Sequence, residues 1–473
     1  MSLFKSREEV DLTSGGIAGP LFYLSLPIVV TNLLQTAYNL ADTFWLGRYS
    51  TEALAAISFG FPLVFLLFAL GMGVSVAGSV LVAQHTGADE PREAEFAASQ
   101  TMTFAVLVSL GLGTLGYLFV EDLLRLLGAS PAVLPGATAY MQIVSMGLVF
   151  MFGFFVFISL MRGYGDTITP MLVMLGTVIL NIVIDPLLIF GWGPFPELGV
   201  EGAAIATVFS RGLAMIVGLA ILFSGRRGVR IRLGEMVPDL GHFRKMIRIG
   251  VPASVEVTGR AVSVNILLGI VGMFPTTVVA AFGIGTRVFS VIFLPAIAVD
   301  RGVETMSGQN IGAGRPDRAA ATNHFAAKAM FLILGALGLV AWFGAAPITG
   351  LFTDDPAVVA VGADFLRFVA PSFGFIGLVR AYSGGLRGAG KTLSAAAIAV
   401  FVVGVVRLPV AWIAAGLMGS SGIWLSFTVS NILGGIAALL YFRRGTWRDA
   451  DLTDESVPGA TTGDHDTEPA VDD

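Results

Sequence analysis

Arg162-Gly163-Tyr164-Gly165-Asp166-Thr167 returns as Arg387-Gly388-Ala389-Gly390-Lys391-Thr392, 225 residues further along. The same displacement lays Gln84 on Gln309, Gly87-Ala88 on Gly312-Ala313 and Pro91 on Pro316. It also lays Pro27 on Pro252, Gly47 on Gly272, Gly60 on Gly285 and Ala55-Ala56 on Ala280-Ala281, and it runs without a gap for about 140 positions. The chain is therefore two copies of one unit. Beyond that stretch the copies drift by five residues, because the first carries an extra loop, Gly191 to Glu197, and Gly202 pairs with Gly422.

The unit belongs in a bilayer. Apolar residues make up 55% of the 473 and charged residues 13%, and the mean hydropathy is +0.82, which leaves too little charge to coat a soluble globule. Apolar runs long enough to cross about 30 Å of hydrocarbon recur at 18–46, 52–83, 97–120, 132–160, 168–192, 200–224, 250–274, 278–308, 321–347, 357–385, 393–417 and 421–442. The first run is longer than a signal-peptide core and lacks a small-residue cleavage site, so it is expected to be retained. Cysteine is absent, which excludes disulfides and thiolate metal sites.

Eighteen Lys and Arg residues fall in the loops on one side, from Lys5 and Arg7 through the 224–250 loop to Arg448, against Arg48 and Arg125 on the other. The positive-inside rule then puts both termini in the cytoplasm. Six spans per copy give both halves the same orientation and a pseudo-two-fold axis along the membrane normal. The expected fold is an all-α polytopic membrane protein of twelve transmembrane helices in two six-helix lobes. Its organisation would be a cytoplasmic N-terminal segment (1–17), an N-terminal lobe (18–224), a cytoplasmic inter-lobe loop (225–249), a C-terminal lobe (250–444) and an acidic, disordered cytoplasmic tail (445–473).

A carboxylate inside a span costs at least about 2.5 kcal/mol on insertion scales, so it needs a partner, a wet cavity or a job. Asp42 sits in the first span, and Asp185 in the fifth with Asn181 one turn before it on the same face. Pro186 follows, and its missing amide leaves the Ile182 carbonyl free to join a cluster of oxygens that suits a hard cation or a proton. The second copy has Leu267 and Val410 at these two places, so the acidic pair marks one lobe only. Glu256 with Arg260, and Asp300, Arg301 and Glu304 together, read as internal ion pairs. Arg211, Arg380 and Arg407 lie nearer span ends or lack an obvious partner, and read as snorkelling or paired residues. Gly385 to Thr392 fits the P-loop pattern, but it joins two apolar spans and its twin carries Asp166 in place of Lys391. It reads as a glycine turn, with no nucleotide bound.

Twelve spans in two parallel halves, the segments Asn39-Leu40-Ala41-Asp42-Thr43 and Asn181-Ile182-Val183-Ile184-Asp185-Pro186, and the twin Arg-Gly-x-Gly-x-Thr turns resemble the multidrug and toxic compound extrusion (MATE) family, in its prokaryotic DinF-like branch. The resemblance covers residues 15 to about 445. It implies a multi-pass transporter of the plasma membrane that exports organic cations or amphipathic compounds by antiport with H+ or Na+. It also implies a cation site of Asp42, Asn181, Asp185 and Thr207, which would hold any Na+. Gln35, Tyr38, Tyr140 and Met174 would line the substrate cavity, and the first helix would bend at Pro27. Glu256 is similar to a seventh-span glutamate of the NorM-like branch, but Ile376 stands where that branch has an aspartate. Membrane lipid and small organic cations are the expected partners, with no nucleic acid, no nucleotide and no cofactor, and the chain is expected to act as a monomer. The alternative reading is a lipid-linked oligosaccharide flippase of the same superfamily. Enzyme chemistry finds no support, since the four histidines have no metal-ligand spacing.

Overall fold

The computed structural model describes residues 10–449 together with 452 and 453. Among them sixteen α-helices form and no strand. The first half gives α1 (Ala18–Tyr49), α2 (Thr51–Gly87), α3 (Pro91–Leu126), α4 (Leu134–Met146), α5 (Leu148–Tyr164), α6 (Ile168–Ile189) and α7 (Gly199–Ser224). The second gives α8 (Leu240–Val271), α9 (Thr276–Gly312), α10 (Pro316–Phe343), α11 (Ala345–Gly350), α12 (Pro356–Val369), α13 (Phe373–Gly388), α14 (Thr392–Val400), α15 (Leu408–Met418) and α16 (Ser420–Arg443). Eleven spans are long and apolar enough to cross a membrane, and the bent pair α4 and α5 makes a twelfth. Large apolar side chains such as Leu118, Phe209, Phe343 and Trp412 stand exposed around the bundle. In water this would be an aggregation surface, whereas in lipid it is the expected contact.

Three expected spans are interrupted, each for a local reason. Gly147 separates α4 from α5 with a bend of 53°. The corresponding place in the second half is a single 3-10 turn, Ala370–Ser372, between α12 and α13, where Pro371 offers no amide. The eleventh span widens into a π-helical stretch, Phe401–Arg407, between α14 and α15. Pro409 has no N–H for the Val405 carbonyl and its ring crowds that turn, which favours the wider winding. By contrast α1 runs unbroken through Pro27, and the Thr31 hydroxyl donates to the Pro27 carbonyl at 2.9 Å.

The lobes α1–α7 and α8–α16 meet where α2 lies on α8 and α9, and where α1 lies on α9. At the end carrying the basic loops the contact is reciprocal. Gln84 donates to the Gly388 carbonyl at 2.9 Å and Gln309 to the Gly163 carbonyl at 2.9 Å, so each half supplies the same donor to the other half's glycine turn. Gly87 lies against the Gln309 backbone and Gly312 against that of Gln84, with no room for a side chain at either. These are the positions that the 225-residue displacement equates.

Both ends of the described chain tie into this seam. Leu12 is buried, its carbonyl accepts from Asn310 at 3.0 Å, and Arg315 and Arg318 hold the carbonyls of Thr13 and Gly15 at 2.6 and 2.7 Å. Order continues past 444. Trp447 is buried, stacks on Phe442 with centroids 4.5 Å apart and donates to its carbonyl at 2.8 Å. The Leu452 amide donates to Gln84 Oε1 at 2.9 Å, and its side chain packs on Val76, Val80 and Ala253 across the two lobes. The rest of the expected acidic tail, like residues 1–9, lies outside the described residues.

Candidate substrate and cation site

Helix periodicity assembles the first lobe's polar groups. Gln35, Tyr38 and Asp42 share one face of α1, Asn181 and Asp185 one face of α6, and Thr207 and Arg211 one face of α7. These faces converge. The carboxyls of Asp42 and Asp185 are close enough to interact with each other. Asn181 Nδ2 donates to Asp185 at 3.0 Å and the Thr207 hydroxyl reaches Asp42 at 3.4 Å. Asp42 is 6% exposed and Asp185 0%. Oδ1 of Asp42, Oδ2 of Asp185 and Oδ1 of Asn181 are buried and meet no donor among the described residues. Between α6 and α7 the 191–197 loop lies beside α1, with Trp192 6.1 Å from Trp45. That loop absorbs the drift between the copies.

Beside the carboxyl pair lies a chamber of about 370 Å³, lined by Gln35, Tyr38, Asp42, Tyr140, Thr207 and Arg211 among others. Asn181 and Asp185 sit behind Asp42, outside this lining. Met174 is not part of the lining either; it is buried, with its sulfur 3.5 Å from Arg211 Nη1.

Arg211 does not snorkel as expected from its place in the sequence. It is 1% exposed, donates to Gln35 Oε1 at 2.7 Å and lies 4.5 Å over the Tyr38 ring. Its partners come from α1 and α6, far away in sequence, so only the fold reveals it. One guanidinium thus faces two carboxyls. The pair therefore needs one more positive partner, which a proton or a small hard cation supplies. Among the described residues no group of three or more His, Cys, Asp or Glu is placed to hold a metal ion.

The second lobe builds something different. Leu267 and Phe427 belong to a buried apolar cluster where the first lobe has Asp42 and Thr207. The expected ion pairs are present: Arg260 to Glu256 at 3.3 Å, and Arg301 to Glu304 at 2.8 Å. Their hub is Arg387, which the sequence placed in a loop. It is 2% exposed and binds Glu256 at 3.0 Å, Glu304 at 2.9 Å and Asp300. Arg162, also counted as a loop charge, stands 4.0 Å from Glu304. Removing both from the eighteen leaves sixteen basic residues on that side against two on the other. The P-loop-like segment lies within this hub and the turn after it, which accounts for Arg387 and its glycines without a nucleotide.

Two helical lobes of like orientation, a buried acid pair in one and a chamber beside it define a polytopic membrane transporter rather than an enzyme. The sequence profile of the MatE family matches residues 27–187 and 252–413, one copy per lobe, and the chain belongs to that family. It is similar to the probable multidrug resistance protein YpnP of Bacillus subtilis, 29% identical over 449 residues that cover 94% of this chain and 99% of that protein. It is equally similar to the FAD transporter of Shewanella oneidensis, 29% identical over 438 residues covering 93% and 97%. The fold matches a crystal structure of MATE in the bent conformation, with a TM-score of 0.87 at 24% identity over 93% of this chain and 98% of that one.

Proposed function

We propose that the protein is a multidrug efflux carrier of the plasma membrane that exports organic cations or amphipathic compounds in exchange for H+ or Na+. Asp42, Asn181, Asp185 and Thr207 form the coupling site. The observation that carries this reading is the buried carboxyl pair, balanced among the described residues by Arg211 alone, opening through Asp42 onto a chamber of about 370 Å³. A bound cation neutralises the pair and weakens its hold on a cationic cargo; loss of the cation restores that hold. Coupling follows from this exclusion.

With both termini in the cytoplasm, the Gln84 and Gln309 contacts close the cytoplasmic side and the first chamber lies in the outer half, so this conformation faces outward. Tyr38, Tyr140 and the phenylalanines of α2 give adaptable, weakly directional contacts suited to varied cargo. Pro27 supplies the point at which α1 bends to shrink the chamber.

The test is efflux of a fluorescent organic cation from proteoliposomes, with pH and sodium gradients imposed separately. Asp42→Asn is expected to abolish gradient-driven efflux while the protein stays folded. Wild-type rates from Asp42→Asn would refute the proposal, and indifference of the wild type to both gradients would favour the flippase reading.

A further inference from the structure

Between α2 and the second lobe lies a larger chamber, about 670 Å³, and its charges do not balance. Arg260, Arg301, Arg380 and Arg387 line it against Glu256 and Asp300. Beneath them Glu304 is matched by the nearby Arg162, so including both leaves the same excess of two positive charges. Arg407 lies outside this lining. It is 9% exposed, and its donors go to Ser430 at 2.9 Å and Asn431 at 2.8 Å with the Phe427 ring 4.4 Å away. Among the described residues no carboxylate pairs with it.

The arginines differ in what they have left to give. Arg387 directs all three nitrogens to the three acids. Arg260 has a side chain 34% exposed and holds Glu256 through one nitrogen at 3.3 Å, while Arg380 approaches Asp300 only to 3.6 Å, beyond hydrogen-bonding distance. A guanidinium carries five N–H donors in a planar fork, so most of those on Arg260 and Arg380 remain for a guest. Across the chamber stand Phe61, Phe65, Leu66 and Met72 of α2. An apolar wall facing an under-used pair of guanidiniums matches a molecule with an aromatic or aliphatic body and an acidic end.

We propose that this chamber is an anion-binding site for amphipathic molecules bearing a phosphate or carboxylate, with the acid group held between Arg260 and Arg380 and the apolar body against Phe61 and Phe65. The guest is either a soluble amphiphile or the headgroup of an anionic lipid. This goes beyond the cation reading of the first chamber and involves no gradient, so the two stand or fall separately.

Calorimetric titration of the detergent-solubilised full chain with 1-naphthyl phosphate and with its neutral parent 1-naphthol tests it. The phosphate ester is expected to bind at least about tenfold more tightly. The double variant Arg260→Gln with Arg380→Gln should lose that advantage while affinity for 1-naphthol stays unchanged, and Arg260→Lys should keep most of it. Thermal melting confirms that each variant is folded. Equal affinity of the wild type for both probes, or an undiminished preference in the double variant, overturns the proposal. Repeating the titration in nanodiscs of phosphatidylcholine with and without phosphatidylglycerol separates the two sources: the lipid displaces the probe if a headgroup is the natural guest, and leaves it bound if the guest is soluble.

Discussion

At the scale of single residues, Arg211 decides how strongly the first chamber attracts a cation. Its guanidinium lies between Gln35 and the Tyr38 ring and forms part of the chamber wall with Asp42, so it repels a cationic guest while it balances one carboxyl. Arg211→Gln keeps a polar side chain and removes the charge. It is expected to tighten binding of a monovalent organic cation about tenfold, roughly 1.4 kcal/mol, measured by fluorescence polarisation. Weaker binding would mean that the arginine serves mainly to hold the pocket's shape. Asp42 and Asp185 were legible in the sequence because a lone acid in an apolar span is expensive wherever it sits. Arg211 and Arg387 were not, because Arg387 reads as a loop charge and Arg211 has no partner near it in the sequence. What buries Arg387 is three acids on α8 and α9, brought together only by packing, and no local pattern encodes that meeting.

Helices were legible as lengths of apolar chain, and their interruptions were not. At Gly147, where the fourth span breaks, α7 passes so close that a Cβ would collide with the Val208 side chain. Gly176 on α6, by contrast, has open space around it. Gly147→Ala is therefore expected to lose about 1–3 kcal/mol through overpacking, and Gly176→Ala to be neutral or to gain up to about 1 kcal/mol from helix propensity. Thermal unfolding in detergent, followed by tryptophan fluorescence, distinguishes the two, and equal melting temperatures would contradict the packing argument. The same glycine-rich composition thus contains hinges, close crossings and idle positions, and hydropathy does not tell them apart.

Over the whole molecule the internal repeat predicted two like lobes, and it also marked where they lock. Gln84 and Gln309 are equivalent residues that each bond the partner lobe's glycine turn, Gln309 reaching both Gly163 and Tyr164 at 2.9 Å. Replacing both by Ala removes these inter-lobe bonds, worth about 1 kcal/mol per glutamine. A combined loss of about 2 kcal/mol moves the balance between closed and separated lobes roughly thirtyfold. The cysteine-free chain makes this directly measurable with spin labels at Arg92→Cys and Asp317→Cys, which are equivalent positions on α3 and α10. An unchanged distance distribution would show that the glutamines do not hold the seam. Phe61 and Phe65 line both chambers, so one pair of rings forms a party wall between the acidic and the arginine-rich compartments. A bulky occupant that pushes those rings aside on one side takes room from the other, so two guests of opposite charge would weaken each other's binding although they never touch the same polar group.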